Sequence, residues 1–220
     1  MTGNSHDPLT AARLAMVETQ LRRRGITDQR VLEAMTKVPR HEFLNRQYWP
    51  DAYADHPVPI GEQQTTSQPY IIAVMLQAAE IQPQDRVLEI GAGSGYQTAL
   101  LCELAREVFA VERYPALSTE VNQALERLGY RNATVVTGDG SLGIPEHAPY
   151  DAIIVAAAAP RVPPALLEQL ALGGRLVVPV GDAQQQVLQL VRKDAAGNVT
   201  ARSLESCRFV PLVGQQGFAA

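Results

Sequence analysis

The stretch RVLEIGAGSGYQT, from Arg86 to Thr98, constrains the fold more than any other part of the chain. An apolar run typical of a strand leads into Gly91, Gly93 and Gly95, and helix-forming residues follow. Glycine adopts the backbone conformations that a tight turn between a strand and a helix requires. In parallel α/β sheets such turns lie at the carboxyl edge of the sheet, where nucleotide-bearing cofactors bind. The motif therefore predicts an α/β protein that holds such a cofactor.

The residues around this motif predict the rest of the sheet. The segments RVLEI, EVFAVE, ATVVTGD, DAIIVAA and GRLVVPV resemble strands and are separated by helical segments or crossovers. This alternation is typical of a doubly wound, mostly parallel sheet. The segments QQQVLQLVRKD and NVTARSLESCRFVPL flank the turn AAGN, so we expect a closing antiparallel hairpin at the C-terminal end.

The N-terminal part has a different pattern. Apolar residues recur at helical spacing from Thr10 to Arg24, and Asp28 is predicted to cap a second, short helix. The stretch from Pro50 to Pro69 is rich in Pro, Gly, Gln and Thr, which predicts a long irregular connection. We expect residues 1–64 to form a helical cap with its loop and residues 65–220 to form the sheet, in one folding unit.

Composition narrows the class of protein. The chain has 220 residues and a net charge of −4, whereas a nucleic-acid binder normally presents a basic face. No run reaches the ~18 apolar residues of a membrane span, and no apolar signal segment opens the sequence. Two cysteines and four isolated histidines form no metal-binding motif. We therefore expect a cytoplasmic protein without a nucleic-acid, membrane or metal partner.

The spacing of the glycines distinguishes two cofactors. In the dinucleotide fingerprint G-x-G-x-x-G the third small residue lets the helix pack close to the strand. That slot holds Tyr96 here, whereas the third glycine is Gly95 and the acidic residue Glu89 precedes the turn. This spacing favours S-adenosylmethionine over NAD. NAD, and a turn without any ligand, remain the alternatives at this point.

Two further acids follow the next two strands. Glu112 ends the second strand, at the distance from Gly91 where an acid accepts hydrogen bonds from ribose hydroxyls. Asp139 follows the third strand, where it can accept a hydrogen bond from the adenine amine. A solvated glutamate and an ordinary Asp-Gly turn are the structural alternatives.

The group that receives the methyl is indicated by elimination. After the fourth strand, the sequence VAAAAPRVP lacks the amide and aromatic residues typical of enzymes that methylate bases or amides. A carboxylate is already ionised at neutral pH, so it needs positioning more than proton removal. Ser67, with Pro69 after it, is predicted to cap the next helix, whose N-terminus suits a carboxylate. Ser67 as a helix cap alone is the alternative.

Taken together, these residues resemble the protein-L-isoaspartate O-methyltransferase family, also called protein-beta-aspartate methyltransferases. The similarity extends from about Glu18 to Gly214. It is carried by QLRRRGITDQRVLEAMTKVPRHEFL, AYADHPVPIG, QTTSQPY, VLEIGAGSGYQTALL, VFAVER, GDGSLGIPEHAPYDAIIV, LEQLALGGRLVVPVG and RFVPLVG. The segment QTTSQPY is the discriminating one, because related methyltransferases share the glycine turn.

The resemblance implies a Rossmann-like class I methyltransferase fold and a repair activity. Such proteins transfer a methyl group from S-adenosyl-L-methionine to the free carboxylate of isoaspartyl residues in damaged proteins, leaving S-adenosyl-L-homocysteine. The ester then collapses to a succinimide, part of which opens to normal aspartate. The resemblance also implies isoaspartyl peptides and proteins as partners, and we expect a monomer.

The resemblance assigns roles to particular positions. Ser67 matches the active-site serine. The residues that match the cofactor-binding positions are Thr65, Thr66, Glu89, Gly91, Ala92, Gly93, Glu112, Arg113, Asp139 and Gly140.

Three positions depart from the family pattern. Gln63 stands where the family has glycine, Thr66 where it has isoleucine, and Ala156 where threonine is common. These departures leave two alternatives open: a carboxyl methyltransferase for another acidic peptide, and a non-catalytic module that binds S-adenosylmethionine.

Overall fold

A computed structural model describes residues 7–219. The helices are α1 (Pro8–Met16), α2 (Gln29–Lys37), α3 (Pro69–Ala79), α4 (Tyr96–Leu104), α5 (Pro115–Arg127) and α6 (Pro164–Gln169). The strands are β1 (Val58–Gly61), β2 (Gln64–Thr66), β3 (Arg86–Ile90), β4 (Glu107–Glu112), β5 (Ala133–Thr137), β6 (Tyr150–Val155), β7 (Leu170–Gly181), β8 (Gln186–Lys193) and β9 (Val199–Cys207). Short 3₁₀ segments lie at Arg22–Arg24, Arg40–Phe43, Arg46–Asp51, Gly140–Leu142 and Pro145–His147.

Seven strands form one sheet in the order β5-β4-β3-β6-β7-β8-β9. The first five are mutually parallel, and β8 and β9 add an antiparallel hairpin. The predicted doubly wound, mostly parallel fold class is therefore confirmed. The chain order reverses between β3 and β6, and ligands of such sheets bind at that reversal, beyond the carboxyl ends of the strands.

Alternate side chains of the central strands enter two separate hydrophobic cores. Val87 packs with the N-terminal segment and the helices α2 to α5, whereas its neighbour Leu88 packs on the opposite face with α6. This is the two-residue period of a strand whose two faces are both buried. Met16 and Leu21 of the N-terminal segment are buried in the same core as Met75 of α3, so this segment packs against the helix layer.

The N-terminal helix runs on beyond α1. A π-helical turn at Val17–Leu21 and a 3₁₀ turn continue it to Gly25, which ends it in the left-handed conformation with φ = 94°. Asp28 caps α2, as predicted, by accepting hydrogen bonds from the backbone N–H groups of Arg30 and Val31. The division into residues 1–64 and 65–220 stays a prediction, and its boundary lies within β2.

The predicted irregular connection from Pro50 to Pro69 is partly wrong, because it contains the antiparallel hairpin β1–β2. Neither strand exceeds four residues, so the sequence shows no alternation long enough to reveal them. Both turn residues have positive φ, 48° at Glu62 and 57° at Gln63. A two-residue hairpin turn of this kind normally uses Asn or Gly.

We expect Gln63→Gly to stabilise the protein. Removing the Cβ from a left-handed position relieves about 1 kcal/mol of backbone strain, which raises the melting temperature by roughly 2–4 °C in a chain of this size. Urea unfolding at fixed pH measures the change. Gln63→Ala is the matched control, since it removes the polar side chain and keeps the Cβ. Equal stability of the Gly and Ala variants would contradict the prediction.

Among residues 7–219, no helix has both the length and the apolar character needed to cross a bilayer.

Candidate active site

The glycine turn is held open by backbone geometry and by one carboxylate. Gly91 and Gly93 have φ of 87° and 57°, conformations that favour glycine. The carboxylate of Glu112, at the end of β4, accepts a hydrogen bond from Gly93 N (2.8 Å) through Oε2. Its other oxygen, Oε1, accepts one from Tyr114 N (2.9 Å). Glu112 therefore fixes the turn after β3 to the turn after β4.

A cavity of about 120 Å³ lies at the point where the chain order of the sheet reverses. Six of the residues predicted to bind the cofactor line it: Thr65, Gly91, Gly93, Glu112, Arg113 and Gly140. Gly140 is required for packing, because a Cβ there would lie 2.5 Å from Cγ2 of Ile90. The residues at the ends of β3, β4 and β5 therefore meet around one space, as the sequence predicts.

Four other predicted residues, Thr66, Glu89, Ala92 and Asp139, do not line this cavity. Thr66 and Ala92 are buried. Glu89 is fully buried, and its carboxylate accepts hydrogen bonds from Gln97 Nε2 (2.9 Å) and Thr98 Oγ1 (2.6 Å) of α4. Glu89 therefore joins β3 to the first turn of the following helix.

Burial raises the pKa of Glu89 to about 8, although hydrogen bonds from Thr98 and Gln97 act in the opposite direction. The same side chain in the unfolded chain titrates near 4.5, so the folded protein holds an extra proton between these two pH values. The resulting stabilisation is complete below the lower value and is lost as the pH rises through the higher one.

We expect Glu89→Gln, which imitates the protonated carboxyl, to gain stability relative to the parent as the pH rises from 5 to 8. The upper limit of the gain is about 1.4 kcal/mol per pH unit for one proton. Urea unfolding at each pH measures it, and Glu107→Gln is the control because Glu107 is partly exposed. Parallel stability curves for parent and Glu89→Gln would contradict the prediction.

Asp139 holds the C-terminal segment against the end of β5. Its Oδ1 accepts hydrogen bonds from Ser141 N (2.9 Å) and Ser141 Oγ (2.7 Å), and its Oδ2 accepts one from Gln215 N (2.8 Å). Burial opposes ionisation, but these hydrogen bonds outweigh it and keep the pKa of Asp139 below its usual value. The predicted contact of Asp139 with adenine stays a prediction.

The segment 210–213, which no sequence pattern placed at the site, lines the cavity of the glycine turn. It is fixed by two backbone hydrogen bonds, from Ala158 N to Val210 O (2.8 Å) and from Leu212 N to Ala158 O (2.7 Å). Nη1 of Arg113 also donates to Val213 O (2.9 Å). The apolar run FVPLV after the last strand was a signal for burial, but nothing in it indicated which face of the sheet it covers.

Ser67 lies in a second cavity, of about 440 Å³. Thr65, Ala156 and Val210 line both cavities, so the two spaces are neighbours. The prediction that Ser67 caps α3 is wrong: Gln68 is the N-cap residue, and Pro69 occupies the first turn as expected. Within residues 7–219 the Ser67 side chain makes no hydrogen bond of its own, so its hydroxyl is available to a ligand.

The N-terminus of α3 is occupied by a carboxylate from a distant part of the chain. Oδ1 of Asp55 accepts a hydrogen bond from Tyr70 N (3.1 Å), and Arg24 forms an ion pair with Asp55. A carboxylate at this position offsets the positive end of the helix dipole. The N-terminus of α3 is therefore less available to a substrate carboxylate than the sequence predicts. The Ser67 hydroxyl is the nearby donor that has no partner within residues 7–219.

A larger concavity, about 690 Å³, lies on the other side of the β1–β2 hairpin and is lined by none of the predicted site residues. It shares Ile60 and Gln64 with the small cavity, so the hairpin separates the two. Within residues 7–219, no three His, Cys, Asp or Glu side chains are grouped as metal ligands would be.

Comparison with known proteins agrees with this geometry. The family model described as Protein-L-isoaspartate(D-aspartate) O-methyltransferase (PCMT) matches residues 12–217. The chain belongs to this family. A protein-L-isoaspartate O-methyltransferase of Koribacter versatilis is 56% identical over 207 residues, covering 94% of this chain and 93% of the relative. One of Methanoculleus marisnigri is 52% identical over 213 residues, covering 96% of each chain.

Solved structures of the family are similar throughout the fold. A protein-L-isoaspartate O-methyltransferase superposes with a TM-score of 0.83 at 29% identity, covering 94% of this chain and 67% of that one. A Plasmodium falciparum structure described as a protein-L-isoaspartate O-methyltransferase has a TM-score of 0.78 at 26% identity, covering 91% and 98%. That protein is in complex with S-adenosyl-L-homocysteine.

Proposed function

We propose that this chain transfers a methyl group from S-adenosyl-L-methionine to the free carboxylate of isoaspartyl residues in peptides and proteins. One observation carries the proposal: the cavity of the glycine turn and the cavity of Ser67 adjoin along Thr65, Ala156 and Val210. A donor held in the first space and a carboxylate held in the second would meet at this boundary. Membership of the family supports the same reaction.

The residues of the first cavity fit the donor. S-adenosyl-L-methionine supplies a methyl group on a positively charged sulfur. Glu112 presents a buried carboxylate suited to ribose hydroxyls, and Gly140 lets the backbone after β5 come close to β3. The cavity itself, about 120 Å³, is smaller than the roughly 300 Å³ or more typical of ligand sites. Entry of a nucleoside therefore requires side chains that line the cavity to move.

The second cavity suits an acceptor that needs no base. An α-carboxyl group has an ordinary pKa near 3.5, so it is ionised at neutral pH. The protein's task is then to place one oxygen in line with the methyl group, and positioning of this kind lowers a barrier by several kcal/mol. Ser67 donates its hydroxyl hydrogen to the other oxygen in this proposal, which orients the carboxylate without removing its charge.

We further propose that the chain acts as a cytoplasmic monomer. Cys102 and Cys207 are free thiols, as is usual in a reducing compartment. Size-exclusion chromatography with light scattering, run alongside activity, tests the monomer.

Labelled donor, a synthetic isoaspartyl peptide and its aspartyl twin test the proposed reaction. We expect label in the isoaspartyl peptide only, in a form released as methanol by mild alkali because the product is a methyl ester. Label in both peptides would indicate a broader carboxyl methyltransferase. Label in neither, with donor binding intact, would indicate a binding module and overturn the proposal.

A further inference from the structure

The cavity that contains Ser67 holds one cation without a partner. Arg208, directly after β9, is exposed and lines this cavity. Its guanidinium makes no ion pair and no hydrogen bond with any residue from 7 to 219, whereas eight other arginines of that range form ion pairs, namely Arg22, Arg23, Arg24, Arg86, Arg127, Arg131, Arg175 and Arg192.

The other cation that lines the cavity, Arg24, is already paired. Arg24 pairs with Asp55 and lies over the ring of Tyr70, with its guanidinium carbon 3.5 Å from the ring centroid. The hydroxyl of Tyr70 in turn donates to Oε1 of Glu205 (2.8 Å). Glu205 accepts a hydrogen bond from a neutral hydroxyl and forms no ion pair within residues 7–219, so it keeps its negative charge. Among the described residues that line the cavity, Arg208 is the one cation left to pair with an incoming peptide.

An unpaired guanidinium beside a peptide site selects a carboxylate. Its planar donors match the two oxygens of a carboxylate in a bidentate pair. The acceptor carboxylate itself is a poor occupant, because a bidentate pair engages both oxygens and lowers the nucleophilicity of the one that must attack. The carboxylate that pairs with the guanidinium is then supplied by a second acidic residue of the peptide, close to the isoaspartyl residue.

We propose that Arg208 is a specificity residue that binds a second carboxylate of the substrate, so that the enzyme prefers isoaspartyl sites with an acidic neighbour. This inference rests on the proposed function and names the class of substrate within it. Arg208 takes no part in the methyl transfer, so it acts on KM and leaves kcat unchanged.

Paired isoaspartyl peptides test the assignment. Each pair carries Glu or Gln at one of the two positions before or after the isoaspartyl residue and is otherwise identical. For at least one pair, we expect the parent protein to show a KM about five-fold lower for the Glu peptide at low salt, with equal kcat, as exposed charge pairs are modest in strength. Added salt should reduce the difference.

Two variants that each remove one positive charge show whether the preference for the Glu peptide depends on Arg208 itself or on the net charge of the protein. Arg208→Gln should lose the preference for the Glu peptide while keeping the parent's kcat and KM for the Gln peptide. Arg202→Gln removes the same charge from an exposed arginine of β9 that does not line the cavity, so it should keep the preference. A salt-dependent preference that only the first variant abolishes supports the assignment.

Three results would overturn it. The first is equal KM for Glu and Gln peptides in the parent, and the second is a preference that survives in Arg208→Gln. The third is an equal fall of kcat for both peptides in Arg208→Gln, which would place Arg208 on the acceptor carboxylate. Absence of methyl transfer to every peptide would overturn the proposed function together with this assignment, whereas transfer without a charge preference overturns this assignment alone.

Discussion

Glu112→Gln is expected to weaken binding of S-adenosyl-L-homocysteine at least 100-fold while the protein stays folded. Each carboxylate oxygen of Glu112 accepts one backbone hydrogen bond, from Gly93 N (2.8 Å) and from Tyr114 N (2.9 Å). The amide of glutamine puts an NH₂ group against one of these N–H donors. Hydrogen bonds to charged groups contribute about 1.5–3 kcal/mol each, so losing one of these two bonds and the proposed bond to the ribose accounts for the expected factor.

Calorimetric titration measures this loss, and Glu107→Gln is the matched control. Glu107 begins the same strand at its other end and pairs with Arg86 on the surface, so its variant should bind the ligand normally. A ligand that lacks a ribose hydroxyl separates direct contact from turn geometry. This ligand should bind the parent much more weakly than S-adenosyl-L-homocysteine does, whereas the two ligands should bind Glu112→Gln almost equally. The two changes are not additive if the carboxylate and the ribose hydroxyl contact each other. If Glu112→Gln bound S-adenosyl-L-homocysteine with an affinity within three-fold of the parent's, Glu112 would not be a cofactor-binding residue.

Much of the fold could be predicted because its pattern is strong in the sequence. The central parallel strands β3, β4 and β6 are buried on both faces and are therefore mostly continuous apolar runs, as at Ile153 and Ile154 of β6. The glycine turn marks the carboxyl edge of β3, and the strand order then places Glu112 and Gly140 beside it. These parts of the candidate site follow from local sequence and the rules of α/β topology.

The remaining parts depend on contacts between segments far apart in the chain. The hairpin β1–β2 is too short to show a period, and its turn uses Glu62 and Gln63 rather than the residues such turns favour. The segment 210–213 is held at the cavity by backbone hydrogen bonds to Ala158. Such bonds do not depend on the side chains, so the sequence pattern does not reveal them. A backbone hydrogen bond can form with nearly any residue, so a single sequence cannot specify it.

Ser67 shows how capping preference alone misleads. Serine is a preferred N-cap residue, and the proline two positions later suits the first turn of a helix. Asp55, 15 residues away from Tyr70, takes the capping role instead by accepting the hydrogen bond of Tyr70 N. Ser67 is therefore not the helix cap, and its role toward the substrate stays a prediction.

Ser67→Ala is therefore expected to lower methyl transfer without changing stability or donor affinity. Its hydroxyl makes no hydrogen bond within residues 7–219, and helix α3 begins at Pro69 with Gln68 as its N-cap, so the melting temperature should not change. Loss of one hydrogen bond to the acceptor carboxylate removes about 2 kcal/mol of transition-state stabilisation, which lowers kcat/KM for an isoaspartyl peptide roughly 30-fold. Ser206→Ala is the control, because Ser206 lines the same cavity on the opposite segment. Turnover by Ser67→Ala within two-fold of the parent's would show that the carboxylate is oriented by other groups, and a fall in melting temperature would return Ser67 to a structural role.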